Sequence, residues 1–327
     1  MLVSVIIPTY NGLELLKECL PSVRAAIEHA QLAGQVEIVV ADDASQDGTA
    51  DWLAQRWPEV VMARSASNRG FAVTANAGIA AAKGAWLALL NNDTVVEAAW
   101  LSAVQPHFNN PRVGAIASRI VYYDRPDILE SNGDDYTVVG VAVKHGNRRP
   151  AAQALQPRAC FSPCGASAFY RGEAIRAVGG YWERLGAYYE DVELGFRLHL
   201  QGWDTLYEPQ SVCRHKVSAS YGRESYRMKF NAARNIELVW FACMPAGLLL
   251  RYLPAHATAC LLHLIYRVTT RRGLSFVHGK LAFWAHLPEV LRRRKGVQSL
   301  RKISNRELCR RLEKHWFKSL IGARMKS

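Results

Sequence analysis

The 327-residue chain lacks the features that staple small or secreted scaffolds. Its seven cysteines are an odd number, scattered from position 19 to position 309 with no CxxC pair. That pattern suggests neither a disulfide framework nor a zinc cluster, and it points to a reducing, cytosolic setting. Long apolar runs are also missing. The longest uninterrupted one, Leu238 to Leu250, has 13 residues, short of the ~18 to 20 that cross a bilayer. MLVSVIIPTY has no basic leader and no small-residue cleavage site, so it reads as a first strand rather than a signal peptide. No internal repeat and no low-complexity linker is present. Acidic residues are scarce in one place only: residues 251–327 hold 18 Lys and Arg against 3 Asp and Glu, whereas residues 1–250 hold 23 against 25.

What is present is an alternation of strand and helix signals over the first hundred residues. Apolar runs at Val3–Pro8, Val36–Ala41, Val60–Ala63 and Trp86–Leu90 are separated by helical patterns over residues 13–29, 49–56 and 71–83. This is the texture of a largely parallel sheet with crossover helices. Three of the strands run into polar clusters, PTYN, DDASQDGT and NNDT, at the end where open α/β sheets bind their ligands. Residues 113–157 carry short β runs and turn residues, Cys160–Tyr170 is strand-like, and Glu190–Gln201 reads as a helix opened by acids and stopped at Gly202. Beyond Asn235 the chain becomes apolar and basic. Pro245 and Pro254 are expected to break it into helices that lie in a membrane interface rather than span it, with Arg267, Arg271, Arg272 and the RRRK run at 292–295 around them. A buried helical subdomain or a dimer contact is the alternative.

The polar clusters carry the chemistry. Asp42 and Asp43 follow the strand EIVVA, and although Ser45 or Asp47 can cap the next helix, capping does not explain two adjacent carboxylates at a cleft mouth. Arg69 and Gly70 precede a helix N-terminus suited to a phosphate, with Asn76 further along it. Asp93, at the end of LLNND, is the kind of hard oxygen ligand that Mg2+ or Mn2+ takes beside a nucleotide diphosphate. Glu190, Asp191 and Glu193 gather at one helix end, where a carboxylate facing the cavity can act as a general base. His215 follows a strand-like stretch.

Taken in order, SVIIPTYN, DDASQDGT, NRGFAVTANAGI, LLNNDTVVE, CGASAFYR and YYEDVELGFRLHLQGW resemble the family 2 glycosyltransferases over about Leu2 to His215. The resemblance implies the GT-A fold, a Rossmann-like α/β architecture with a mixed, mainly parallel sheet flanked by helices, here followed by a helical basic C-terminal extension. It divides the chain into a catalytic domain, 1–235, and an extension, 236–327; within the domain, residues 1–112 take the nucleotide sugar and 113–235 the acceptor. Pro8, Thr9, Tyr10 and Asp42 would border base and ribose, with Asp43 supporting the loop and Arg69 and Asn76 near the diphosphate. Asp93 would hold Mg2+ or Mn2+, with Asn91 and His215 completing the site and Asn92 in the turn on the nucleotide-sugar side. Asp191 would deprotonate the acceptor hydroxyl, with Glu190 beside it, and Gly165 and Ala166 would line the donor and acceptor cleft.

The tail is similar to bacterial rhamnosyltransferase-like members. The implied reaction is inverting transfer from a UDP- or dTDP-sugar to a lipid-linked or saccharide acceptor in surface polysaccharide synthesis. The implied place is the cytoplasmic face of the membrane, held there by anionic lipid contacts of residues 236–327; no nucleic-acid partner is expected. Three departures qualify this. Asn91 stands where the family usually has the first Asp of Asp-x-Asp, so metal binding should be weaker or lean on His215. Trp182 stands in GGYWE where relatives often have an acid. The QxxRW signature of processive synthases is absent, so one or a few sugars should be added. The competing reading is a non-catalytic membrane-bound scaffold with the same fold, against which Asp42, Asp93 and Asp191 argue. A sugar-phosphate nucleotidyltransferase is disfavoured because PTYNGLELLKE replaces the Gly- and Arg-rich phosphate loop it needs.

Overall fold

The computed structural model describes residues 2–217, 225–270 and 273–317. Strands β1 (Val3–Thr9), β2 (Val36–Asp42), β3 (Val61–Arg64) and β4 (Trp86–Leu90) alternate with helices α1 (Leu13–His29), α2 (Thr49–Arg56) and α3 (Phe71–Ala81). β1 and β4 are buried along their whole length, as expected of strands covered on both faces. The next strands are β5 (Thr94–Val96), β6 (Val113–Tyr122), β7 (Arg125–Ser131), β8 (Asp134–Tyr136), β9 (Ala142–Lys144), β10 (Arg158–Ala159) and β11 (Ser167–Arg171). Helices α4 (Gly172–Ala177) and α5 (Glu190–Leu200) and the long strand β12 (Asp204–His215) complete the sheet region.

The main sheet has ten strands, with the order β10-β12-β6-β11-β4-β1-β2-β3, β5 pairing with β12 and β7 with β6. β3, β2, β1 and β4 are mutually parallel, β11 runs antiparallel between β4 and β6, and β6 and β12 are parallel again. The strand-like stretch at Cys160–Tyr170 is therefore a strand only from Ser167. The preceding residues are irregular because they cross the cleft, where their backbone bonds to Asn91 and Asp191 instead of a ladder. The turn-rich 113–157 region resolves into β6, β7 and the small β8-β9 hairpin.

Helices α6 (Tyr226–Cys243), α7 (Ala246–Thr269), α8 (Gly273–Ala285), α9 (Leu287–Ser299) and α10 (Asn305–Arg311) follow. Pro245 does separate α6 from α7, but α7 runs straight through Pro254. The missing N–H and the ring lie on the exposed side, and packing of His256 and Ala259 holds the opposite side. The resulting 24-residue helix is long and apolar enough, by length and composition alone, to cross a membrane. The 235/236 boundary falls inside α6. A core cluster joins Tyr136, Phe161 and Phe196 of the sheet region to Leu238, Trp240, Phe283 and Leu308 of the C-terminal helices. Arg271 and Arg272 lie outside the described residues.

Candidate active site

Because β1, β2 and β4 are parallel, their C-terminal ends open on one edge. Thr9 and Asp42 are register partners there, and Asp43 N–H donates to the Thr9 carbonyl at 2.9 Å. Asp42 is fully buried, accepts from Ser45 N at 3.1 Å and lies 3.3 Å from Arg64 Nε. Asp43 accepts from the backbone N–H groups of Arg69 and Gly70, both at 2.8 Å. It thus fixes the loop entering α3, leaving the Arg69 side chain exposed beside it. Tyr10 is half exposed at the cleft rim, just past buried Pro8 and Thr9. Asn11 and Ala44, on the loops leaving β1 and β2, have positive φ angles of 46° and 63°; such outliers gather where loops shape a site.

Asn92 is buried and donates from Nδ2 to Thr9 Oγ1 at 2.8 Å, so its amide joins the ends of β4 and β1. Asn76 lies on α3. It brackets the backbone of Tyr181, accepting from its N–H at 2.8 Å and donating to its carbonyl at 3.0 Å. Both amide groups are thereby used to dock α3 on the loop ahead of α5.

Asp93 and His215 meet because β12 carries His215 to β5, where it is the register partner of Thr94. Asp93 Oδ1 and His215 Nε2 stand 3.2 Å apart, close to the ~3 Å that adjacent ligand atoms keep on an octahedral ion with bonds of about 2.1 Å. The donor set, a carboxylate and an imidazole, also fits Mg2+ or Mn2+. Asn91 is half-buried, its backbone N–H bonded to the Ala166 carbonyl at 3.0 Å. His215 Nδ1 contacts Glu130 Oε2 at 2.6 Å, and Glu130 Oε1 accepts from Lys144 Nζ at 2.6 Å. Burial acts to lower the His215 pKa, but the Glu130 and Asp93 carboxylates outweigh it and raise it to about 9. Burial likewise opposes ionisation of Glu130, and Lys144 and His215 overcome it, pulling its pKa to about 2.

The third group lies at the start of α5. Tyr188 and Tyr189 precede it with φ of 73° at both, a strained entry into the helix. Asn235 of α6 braces this turn, its Nδ2 donating to the carbonyls of Leu185 at 3.0 Å and Tyr188 at 2.7 Å. Of the three acids, Glu193 is spent on buried ion pairs with Arg197 and Arg293. Glu190 is buried, and its Oε2 has no hydrogen-bond partner among the described residues. Burial, followed by repulsion from Asp191, pushes its pKa well above the carboxylate range. Asp191 is also pushed up by burial, but it accepts from the N–H groups of Gly165 and Val192, both at 2.8 Å. Two adjacent carboxylates thus hold different environments: both pKa values are raised by burial, and Asp191 keeps two backbone N–H donors while Glu190 Oε2 has none among the described residues.

One turn connects these groups. Ala166 accepts from the Asn91 backbone and Gly165 donates to Asp191, so the NNDT stretch and the acid of α5 are both held by adjacent residues of the CGAS segment. A Cβ at Gly165 would stand 3.4 Å from Asp191 Oδ2, in van der Waals contact with the carboxylate. Sequence patterning missed Glu130, Lys144 and Asp134. They sit in the turn-rich region whose only signal was a mixture of β residues and acids. Asp134 is buried, accepts from Ser131 Oγ at 3.1 Å and is lifted by burial and by Asp191 to about 7.

A family model described as Glycosyl transferase family 2 matches residues 4–179. The chain belongs to glycosyl transferase family 2. Among relatives, an N-acetylglucosaminyl-diphospho-decaprenol L-rhamnosyltransferase of Mycobacterium tuberculosis (strain ATCC 25618 / H37Rv) is 29% identical over 248 residues, covering 67% of this chain and 78% of its own. An uncharacterised protein of Sinorhizobium fredii is 28% identical over 236 residues, covering 68% of this chain but only 25% of its own. Among solved structures, the mannosyltransferase PcManGT from Pyrobaculum calidifontis, in complex with GDP-Man and Mn2+, superposes with a TM-score of 0.54 at 19% identity over 86% of each chain. That likeness identifies the fold as GT-A. The family 2 match begins in β1 and ends just past α4, so it contains the Thr9, Asp42 and Asp93 cluster and stops before α5 and β12.

Proposed function

We propose that this glycosyltransferase carries out inverting transfer from a UDP- or dTDP-sugar to a lipid-linked or saccharide acceptor, in bacterial surface polysaccharide synthesis. The observation that carries it is the Gly165-Ala166 turn, which holds the Asn91 backbone, two residues before the Asp93 that meets His215, and the Asp191 carboxylate. Pro8, Thr9, Tyr10 and Asp42 border the nucleoside, and the loop fixed by Asp43 presents Arg69 to the diphosphate. Asp93 and His215, with Asn91 beside them, would hold Mg2+ or Mn2+, which when bound relieves charge on the leaving diphosphate as a Lewis acid. Asp191 accepts the acceptor hydroxyl proton, its carboxylate aimed by the two N–H donors, while burial and the Asp191 charge disfavour the charged form of Glu190 next to it. A single displacement at the anomeric carbon then inverts configuration and needs no covalent enzyme intermediate. The acceptor named for the mycobacterial relative, a lipid-linked sugar diphosphate, supports the lipid-linked choice.

The C-terminal helices supply the second half of the reading, attachment to the cytoplasmic face of a membrane through residues 236–327. Leu250, Leu253, Leu261, Ile265 and Val268 of α7 are exposed at helical spacing, as are Leu274, Val277, Leu281 and Trp284 of α8. Two apolar stripes in the most basic part of the chain fit a helix pair lying in an anionic lipid surface.

The test is slow hydrolysis and ligand-induced thermal shift with a panel of UDP-, dTDP- and GDP-sugars, with and without Mn2+. Mn2+-stimulated hydrolysis of one donor, abolished by Asp191→Asn, is the expected result. No thermal shift with any donor in either condition would sink the transferase mechanism and favour the scaffold.

A further inference from the structure

Outside the cleft, α6, α7 and α8 enclose a second cluster of ligand-type side chains. Glu237 projects from α6, and His256 and Cys260 project from successive turns of α7. His256 Nε2 lies 2.9 Å from Glu237 Oε2 and 3.6 Å from Cys260 Sγ, and Cys260 Sγ lies 3.4 Å from Glu237 Oε1. A tetrahedral Zn2+ with bonds of about 2.3 Å to sulfur and 2.0–2.1 Å to nitrogen and oxygen keeps its ligand atoms ~3.3–3.6 Å apart. The three side chains are therefore nearly at coordinating separation already.

The imidazole is also oriented as a ligand. His256 Nδ1 contacts the Val139 carbonyl at 2.8 Å, and the ring stacks on Trp240 with centroids 3.9 Å apart and planes 5° from parallel. A backbone carbonyl on one ring nitrogen is the usual support that turns the other nitrogen toward a metal. The pocket already accepts a cation: Lys280 Nζ pairs with Glu237 Oε1 and lies 3.6 Å from Cys260 Sγ. Its side chain is 20% exposed, so the ammonium sits at the solvent side of the cluster. His256 and Glu237, both buried, stay in place.

We propose that Glu237, His256 and Cys260 form a second metal site, of Zn2+ type, that clamps α6 to α7. Thiolate, imidazole and carboxylate together suit Zn2+, unlike the harder set at Asp93. On binding, the metal takes the place of the Cys260 thiol proton and the His256 Nε2 proton, both released to solvent, and a water fills the fourth position as Lys280 withdraws. This proposal does not depend on the transferase mechanism.

The test is a Co2+ titration of the full-length protein after chelation. A sulfur-to-cobalt charge-transfer band with tetrahedral visible absorption is expected, retained in Asp93→Ala, lost in Cys260→Ser and bleached by Zn2+. Zn2+ should also raise the melting temperature of the parent protein but not of Cys260→Ser. Lys280→Met, which removes the competing ammonium, should tighten Co2+ binding on the order of tenfold. Absence of the sulfur band in the parent protein, its persistence in Cys260→Ser, or unchanged affinity in Lys280→Met would overturn the proposal.

Discussion

At the scale of single residues, the burden on Asp93 is the sharpest consequence of the sequence. With asparagine at 91, Asp93 is the one carboxylate of NNDT, and it faces His215. Asp93→Ala should lower transfer on the order of a thousandfold, the loss of several kcal/mol of charge stabilisation. Asn91→Asp should keep activity and lower the Mn2+ concentration for half-maximal rate; a lost rate would show that position 91 does not face the ion. Asp93 was legible because a carboxylate closing a buried strand, within an ordered set of polar clusters, is well placed to meet a cation. Glu130 was not, since nothing in its local pattern announces that β7, pairing with β6, sets it beside His215 on β12 at the other edge of β6. It holds that ring between two anions, and Lys144 neutralises the excess charge. Glu130→Gln should raise the Mn2+ requirement by about 10- to 100-fold, with most of kcat recovered at saturating Mn2+. A uniform loss of kcat that Mn2+ does not rescue would place Glu130 in folding rather than in positioning His215.

At the scale of elements, β1, β2 and β4 were readable as buried apolar runs and β3 as a short apolar run at the sheet edge, with helix-length segments between them. Residues 113–166 were not, because hairpins and cleft-crossing segments take their register from tertiary partners: Gly165 from Asp191, Ala166 from Asn91. Asn76 shows the same limit, since its helix was placed correctly but its amide serves the Tyr181 backbone. The hairpin strand β8 brings Asp134 into the field of Asp191, with a measurable result. Its folded-state pKa, about 7, lies above the ordinary carboxylate value of 3.8, so the folded state binds this proton more tightly than the unfolded chain. Its stabilising contribution is therefore present at acid pH and is lost as pH rises through about 7. Asp134→Asn should raise the melting temperature at pH 8 relative to the parent and flatten the decline between pH 5 and 8. An unchanged pH profile would remove Asp134 as its source.

At the scale of the whole molecule, the basic tail is more deeply built into the protein than its composition conveyed. α6 passes through the expected boundary, Asn235 braces the strained turn before Asp191, and Trp240 lies fully buried in the core shared with the sheet region. Truncation at Asn235 would cut a helix in half and open that core, so it cannot separate attachment from folding. Surface substitutions can, because the stripes on α7 and α8 contribute little to the interior: Leu261 and Leu281 are 57% and 60% exposed. Burying a leucine side chain in an apolar medium is worth roughly 1.5–3 kcal/mol, and each 1.4 kcal/mol is about tenfold in partitioning. Leu261→Ser with Leu281→Ser should therefore weaken binding to vesicles containing anionic lipid by at least about tenfold while leaving the melting temperature nearly unchanged. Added salt should weaken the parent further, because the cations on these helices act over a screened range. Equal pelleting of parent and double variant would refute lipid insertion by these stripes and turn attention to a second copy of the chain as what covers them.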